Sequence, residues 1–157
     1  MKGKVITNFA ETFEIDIALN QELILEKTGR YYLVNQALKP LVTPECFYAG
    51  LYLGKAKQGK FFPSFNLLNM LAKNNASRII VDKKTAWLFI CGRDILGRGI
   101  LKVLGSGKKH TNVLVLNEFG ECLGFGRIVG PLADKSRLDD LAVNNVSDVG
   151  DFLRRER

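Results

Sequence analysis

Two arginines of the sequence stand beside glycine, within a stretch at positions 77–103 that reads SRIIVDKKTAWLFICGRDILGRGILKV. One is Arg93, which follows Gly92, and the other is Arg98, which lies between two glycines. A guanidinium presents a planar fork of donors that matches a phosphate or a carboxylate, and glycine lets the backbone come close to a ligand. This spacing predicts the close approach of an anionic partner.

The C-terminal end carries a second group of arginines, Arg154, Arg155 and Arg157. Cations in the last turn of a helix offset its dipole by about 0.3–1 kcal/mol each, which accounts for one or two of them. Three arginines within the last four positions exceed that role, and arginine suits bidentate phosphate contact better than lysine does. The cluster therefore indicates contact with phosphates.

Residues able to catalyse a reaction or to hold a metal are few. The single histidine, His110, lies in a loop rich in glycine and lysine, so a nucleophile has no plausible base. Three scattered cysteines and one histidine do not make the four-ligand set of a structural zinc site. The two GxG pairs lack the third glycine of a dinucleotide fingerprint. We therefore predict a binding protein with no catalytic residue, no metal and no cofactor.

The sequence GKAKQGK at positions 54–60 fits the GxxxxGK pattern of a P-loop. A P-loop needs a serine or threonine next, to ligate Mg²⁺, and a helix whose N-terminus faces the phosphates. Phe61, Phe62 and Pro63 follow instead, and a proline disfavours helical backbone in the residue before it. The preferred interpretation is a hairpin turn with solvent-exposed lysines.

The composition favours a folded chain with a polyanionic partner. Of the 157 residues, 46% are hydrophobic and 25% are charged, a balance that supports a buried core. The net charge of +7 is shared by both halves, at +3 up to position 76 and +4 after it. A basic excess favours RNA or DNA as a partner through counterion release. The alternative is that the charge serves solubility alone.

Composition also bears on where the protein works. The longest apolar run, at 86–91, has six residues, far fewer than the roughly 20 of a membrane helix. The N-terminus turns polar too quickly for a secretory signal, and three widely spaced cysteines indicate reduced thiols. We therefore expect an intracellular protein with no membrane partner.

Local signals place the arginine–glycine stretch on a strand, a helix and a turn. The β-branched residues at 79–81 predict a strand. Asp82 is a good N-cap for the helix that follows, and Gly92 stands where a left-handed residue is expected to end it. Trp87, within this apolar helix, is predicted to lie in the core. The helix and its turn should present the arginines.

The rest of the C-terminal half is predicted to form a hairpin, a polar irregular segment and a short helix. Positions 112–130 predict the hairpin, with a bulge at 124–126 where Phe125 could be buried or exposed. Positions 131–145 read as polar and irregular. Ser147 is the expected cap of the last helix.

The N-terminal half reads as a small α/β unit. Loosely alternating apolar residues over 5–34 predict an antiparallel sheet, although a helix over 8–19 stays open. Positions 46–74 predict a strand, a turn, a second strand and a helix capped by Ser64. The polar stretch 74–77 is the natural linker, which gives domains at 1–75 and 77–157.

Four segments of the chain resemble known families. IIVDKKTAWLFICGRDILGRGILKV, NEFGECLGFGRI and DVGDFLRRE, in that order, resemble a PUA domain, the small β-barrel named after pseudouridine synthases and archaeosine transglycosylases. The segment YAGLYLGKAKQGKFFPSFNLL, upstream of them, resembles the pre-PUA domain of the Nip-seven family of ribosome-biogenesis factors. With both parts on one chain, that family is the best match, and an archaeal-like member is expected.

The resemblance implies an α+β fold, with a small N-terminal α/β pre-PUA domain followed by a PUA β-barrel with short helices. It also implies a non-enzymatic protein that binds pre-ribosomal RNA, chiefly single-stranded segments, during large-subunit assembly. The N-terminal domain would engage ribosome-assembly proteins, in the cytoplasm or, in a eukaryote, in the nucleolus. The implied RNA-binding residues are Arg154, Arg155, Arg157, Arg93, Gly92, Lys84, Arg98 and Arg127.

Two alternatives stay open beside this interpretation. One is an accessory PUA protein associated with RNA modification, although about 76 residues before the PUA domain are too few for a catalytic core. The other is a protein-interaction adaptor whose barrel no longer binds RNA. The leading interpretation carries a geometric expectation: Arg154 and Arg155 should return beside the stretch 77–103.

Overall fold

The computed structural model describes residues 3–155, apart from the side chains at positions 152, 153 and 155. The N-terminal part is built on a four-stranded antiparallel sheet with the strand order β1-β2-β3-β4. Its elements are α1 (Lys4–Glu11), β1 (Ile24–Lys27), β2 (Arg30–Leu33), β3 (Leu51–Lys57), β4 (Lys60–Pro63) and α2 (Phe65–Lys73).

The C-terminal part is a six-stranded sheet with the order β6-β10-β9-β8-β5-β7, in which only the pair β5–β8 is parallel. Two helices accompany the sheet, and the α+β class predicted from the sequence is confirmed. The elements are β5 (Arg78–Val81), α3 (Lys83–Ile90), β6 (Ile95–Leu96), β7 (Ile100–Leu104), β8 (Asn112–Leu116), β9 (Cys122–Ile128), β10 (Leu141–Asp148) and α4 (Val149–Arg155).

Short-range cap and turn signals predicted several of these elements correctly. Ser64 caps α2 by accepting a 3.2 Å hydrogen bond from the Leu67 N–H, and Asp82 caps α3 by accepting one of 2.7 Å from the Thr85 N–H. Gly92 has φ +88° and ends α3. The hairpins β3–β4 and β8–β9 are both present.

The strands predicted near the N-terminus were wrong at positions 5–19. Residues 4–11 form the helix α1, because Ile6 and Ala10 lie four apart and are both fully buried on one side of it. Phe13 and Ile17 are buried as well, but irregular backbone carries them. The apolar residues two apart in this segment belong to a loop that packs on the core. The helix that the sequence analysis kept as an alternative over 8–19 is present only as far as residue 11.

The end of the segment 131–145, which was predicted to be irregular, forms part of a strand. β10 spans Leu141–Asp148 and pairs with β9, and it buries Ala142 and Val143. A register shift between Asn145 and Ser147 breaks its alternation, so the sequence pattern did not show it. The predicted cap at Ser147 was also wrong, because Asp148 accepts the 2.9 Å hydrogen bond from the Asp151 N–H.

Strand β8 lies between the two hydrophobic cores. Leu114 and Leu116 enter the first core, where Phe125 of β9 and residues of α1 and α2 surround them. Val113 and Val115 enter the second core, between the sheet and α3. A strand buried on both faces reads as a continuous apolar run, as VLVL does here. The N-terminal elements therefore complete the packing of the six-stranded sheet, and the separation into two domains near 74–77 stays a prediction.

Candidate nucleic-acid interface

The outward side of α3 carries an exposed tryptophan. Lys84, Trp87 and Cys91 share this side, because residues three and four apart lie above one another on a helix. Trp87 is 65% exposed, so the prediction that it lies in the core was wrong. Phe89 fills the interior side of α3 and is fully buried. The only tryptophan of the chain therefore stands in solvent beside a lysine.

The turn after α3 carries the exposed Arg93, six positions after this tryptophan. The Gly92 N–H donates to the Phe89 carbonyl at 2.9 Å, and the Arg93 N–H donates to the Leu88 carbonyl at 3.0 Å. This is a Schellman motif with glycine in the left-handed position. Among the residues the structure describes, none pairs with the Arg93 guanidinium. We call Lys84, Trp87, Cys91, Gly92 and Arg93 the α3 face.

Asn145 fixes the turn, and no sequence signal singled it out, because positions 131–145 were predicted to be polar and irregular. Its Nδ2 donates to the Phe89 carbonyl at 2.8 Å and to the Arg93 carbonyl at 3.4 Å. Its N–H donates to the Asp94 carboxylate at 2.7 Å. One residue thus positions the backbone of Arg93 and engages the acidic side chain that follows it.

Arg154 lies beside the α3 face, as the geometric expectation required. Its Nη1 donates to the Ile90 carbonyl at 2.7 Å. Its Nη2 donates to both oxygens of the buried Asp148 carboxylate, at 2.8 and 3.1 Å. The Arg154 guanidinium therefore ties α4 to α3 and has much of its hydrogen-bonding capacity used internally. The predicted contacts of Arg155 through its side chain, and of Arg157, lie outside the described residues.

Arg98 and Arg127 lie on surfaces other than the α3 face. The Arg98 guanidinium forms an ion pair with the Asp139 carboxylate in the loop before β10. Gly97 and Gly99 beside it are buried, and a Cβ at Gly99 would collide with Thr85. The glycines of this triplet therefore allow close packing, while the role of Arg98 in RNA binding stays a prediction.

Arg127 lines a groove of about 890 Å³ between the β3–β4 hairpin and the six-stranded sheet. Three lysines of the hairpin, Lys55, Lys57 and Lys60, line the same groove. The sequence predicted these lysines to be hairpin residues in solvent, and only the packing of the two sheets brings them together with Arg127. We call this surface the hairpin groove. Its other lining residues are Phe9, Tyr52, Phe61, Phe62, Pro63, Ser64, Asn112, Phe125, Val146, Ser147 and Asp151.

The cysteines differ in exposure and in acidity. Burial raises the pKa of the Cys122 thiol to about 11. Hydrogen bonds from the Thr43 side chain and backbone lower the pKa of Cys46, and Cys91 is exposed on the α3 face. Across residues 3–155, no three or more His, Cys, Asp or Glu side chains group as metal ligands would. No helix in that range has the length and apolar character needed to span a bilayer.

Comparison with known proteins assigns this architecture to a family. Residues 77–157 match the family model described as the UPF0113 PUA domain. The chain belongs to the UPF0113 PUA domain family. The PUA domain expected in the C-terminal part is thus confirmed.

One relative and two solved structures are similar to this chain. A UPF0113 protein from Archaeoglobus fulgidus is 30% identical over 112 residues, which are 70% of this chain and 63% of that relative, so the match spans less than two thirds of the relative's length. A conserved PUA domain protein from Thermoplasma acidophilum has a TM-score of 0.62 at 20% identity, covering 98% of this chain and 93% of that one. A hypothetical protein from Pyrococcus horikoshii has a TM-score of 0.54 at 16% identity, with 85% and 77% covered. The two structures support the fold alone.

Proposed function

We propose that the protein binds single-stranded RNA on the α3 face of its PUA domain and has no catalytic activity. The observation that carries this proposal is the 65% exposed Trp87, with Lys84 one turn before it and, just after the helix, Arg93, which has no partner among the described residues. Stacking of a base on an aromatic ring contributes about 1–3 kcal/mol. An exposed indole flanked by two cations offers a surface for a base and two contacts for phosphates.

Four residues of the α3 face contribute to RNA binding in this proposal. Lys84 and Arg93 contact phosphates, which supplies affinity without sequence information. Trp87 stacks on an unpaired base, and Gly92 lets the RNA backbone approach the turn. Arg154 holds α4 against this surface and so acts mainly as a positioning residue.

The biological setting we propose is assembly of the large ribosomal subunit in the cytoplasm, or in the nucleolus of a eukaryote. Support comes from the resemblance of positions 48–68 and 148–156 to the Nip-seven family. Apolar side chains of the N-terminal part stand in solvent at Leu41, Phe47 and Tyr48. Exposed apolar groups of this kind favour contact with another protein, and a ribosome-assembly factor is the partner we propose for them.

Intrinsic fluorescence tests the RNA proposal directly, because Trp87 is the only tryptophan. Titration with a 12-nucleotide oligouridylate should quench its emission. Trp87→Ala removes this fluorophore, so its affinity is measured by filter binding and should be about tenfold weaker, since stacking contributes about 1–3 kcal/mol. Phe119→Ala is the matched control, because Phe119 is 87% exposed at the β8–β9 turn. Unchanged emission together with unchanged affinity of Trp87→Ala would remove the α3 face from the RNA surface. In a separate experiment, crosslinking in cells that recovers protein partners without RNA would favour the adaptor alternative.

A further inference from the structure

The N-terminal part carries a basic surface that the α3 face does not include. We propose that the hairpin groove binds single-stranded RNA, so that the N-terminal part is itself an RNA-binding element. This inference rests on the proposed RNA-binding function and adds a second contact surface to it. The groove is lined by residues of both sheets, so one RNA segment bound there would contact both parts of the chain.

Three of the cations lie on one face of the hairpin. In the register of β3 and β4, Lys57 is opposite Lys60, and Lys55 is opposite Phe62. Alternate residues of a strand point to the same side, so all four side chains share that side. Lys55 and Lys57 are two residues apart, which is about 6.8 Å along a strand. That spacing is comparable with the phosphate repeat of an extended single strand.

The cations of the groove are not neutralised within the described part of the protein. There, Lys55, Lys57, Lys60 and Arg127 form no ion pair or side-chain hydrogen bond. Arginines elsewhere do pair with carboxylates, as Arg154 does with Asp148. The groove therefore concentrates positive charge that an external anion can neutralise.

One acidic residue, Asp151, also lines the groove. It belongs to the first turn of α4, where a carboxylate is favoured by the helix dipole. Four cations line the groove together with this carboxylate. The net charge of the groove is therefore positive, and it favours a polyanion over a neutral or cationic partner.

Aromatic rings give the groove a second feature that nucleic acid can use. Phe62 is 47% exposed beside the lysines. Phe61 alternates with Lys60 and Phe62 and so points to the other side of the hairpin, where its ring packs edge to face with Phe9 at 5.3 Å between centroids; Phe9 packs with Phe125 at 5.6 Å. Grooves that bind single strands combine a basic track with rings on which bases stack. Phe62 supplies such a ring face beside the three lysines of the hairpin.

These features favour a single strand over a duplex or an acidic peptide. In a duplex, stacking covers both faces of each internal base, so Phe62 would find no free base face to contact. An acidic peptide would satisfy the lysines but has no flat base for the aromatic ring. Only an unpaired polynucleotide uses the cations and Phe62 together.

A charge-removal variant of the full chain tests the groove. Lys55→Gln, Lys57→Gln and Lys60→Gln combined remove three charges from exposed or half-buried positions. For a 12-nucleotide oligouridylate, the slope of log affinity against log salt should become shallower by about two, at about 0.7 for each lost contact. With equal affinity of the two proteins at 1 M salt, that slope change corresponds to about 100-fold weaker binding of the variant at 0.1 M salt. The matched control removes three exposed lysines elsewhere, with Lys39→Gln, Lys102→Gln and Lys135→Gln.

A second variant and a shorter ligand separate this inference from the proposed function. Phe62→Ala should weaken the 12-nucleotide ligand, while a 4-nucleotide ligand should still quench Trp87 normally in both groove variants. If Trp87→Ala weakens binding and the groove variants behave like the control, the groove inference is overturned and the proposed function stands. If the unmodified protein binds neither oligonucleotide, both are overturned. If the groove variants lose binding of polyglutamate and keep that of RNA, the groove takes an acidic protein segment instead.

Discussion

The Glu14 carboxylate accepts a 2.8 Å hydrogen bond from the Ser77 hydroxyl, although 63 positions separate the two residues. Its oxygens also accept from the Ser106 hydroxyl, at 2.6 Å. Glu14 follows α1 with φ +60°, while Ser77 and Ser106 flank the strands β5 and β7. A single side chain from the N-terminal part thus fastens two loops of the PUA domain.

These bonds make Glu14 a determinant of acid stability. The hydrogen bond from Ser106 first, and that from Ser77 next, lowers the pKa of Glu14 below its ordinary value of 4.5. A group whose pKa is lowered by folding stabilises the folded state above its unfolded pKa, and that contribution is lost as the pH falls through the folded value. Glu14→Gln should therefore have a lower melting temperature than the unmodified protein at pH 7.

The difference in melting temperature between Glu14→Gln and the unmodified protein should shrink below pH 4.5, where the Glu14 carboxylate becomes protonated. Thermal unfolding at intervals from pH 7 to pH 3 measures it. Glu22→Gln, at an exposed position in the same part of the chain, is the control. A melting-temperature difference that stays constant over the whole range would contradict a role for the ionised carboxylate.

Arg154 should contribute to stability as well as to the RNA surface. Arg154→Ala leaves the buried Asp148 carboxylate without its guanidinium partner, and hydrogen bonds to charged groups contribute about 1.5–3 kcal/mol. Because Arg154 is itself 44% exposed, we expect a loss of about 1–2 kcal/mol in the free energy of unfolding. Urea denaturation measures this loss.

Arg154→Lys separates the two roles of this residue. It keeps the charge but cannot reproduce the fork that reaches both Asp148 and Ile90, so it should also be destabilised. Because the lysine variant loses this positioning, its RNA affinity should fall together with its stability if positioning is the main role. Normal stability of both variants with weaker RNA binding would instead assign Arg154 to direct phosphate contact.

Thiol labelling offers a footprint of the α3 face. Cys46, whose pKa is lowered, and the exposed Cys91 should react with iodoacetamide at pH 7.5. Cys122 should react at least 100-fold more slowly, because it is largely buried and its pKa of about 11 leaves little thiolate. Mass spectrometry of digested protein resolves the three sites.

Bound RNA should slow labelling at one of these sites. Cys91 is four residues after Trp87 on the same side of α3, so saturating oligouridylate should protect it, while Cys46 serves as the internal control. Protection of Cys46 with full reactivity at Cys91 would place RNA on the N-terminal part and away from the α3 face.

Signals contained within a few residues predicted structure well. Asp82 and Ser64 cap helices, and Gly92 ends one, because each cap depends on the residue's own backbone and on neighbours two to four positions away. The hairpins followed from their turns for the same reason. Local chemistry decides these features, so the sequence alone was enough.

Features decided by tertiary packing were missed. Helix α3 is apolar on most sides, so the sequence did not show that Phe89 rather than Trp87 would face the sheet. Strand β10 is defined by its pairing with β9, and its asparagines and register shift hide the alternation. The hairpin groove joins Lys57 and Arg127 across 70 positions, a juxtaposition that no local pattern reports.

The double-sided burial of β8 limits how the chain can be divided. Cutting at the linker would expose Leu114, Leu116 and Phe125, whose burial contributes about 1.5–3 kcal/mol each. An isolated PUA fragment would then present an apolar sheet face to solvent and tend to aggregate. Loss of RNA binding on truncation would therefore report a damaged sheet as readily as a missing contact, and point substitutions in the whole chain are the informative experiments.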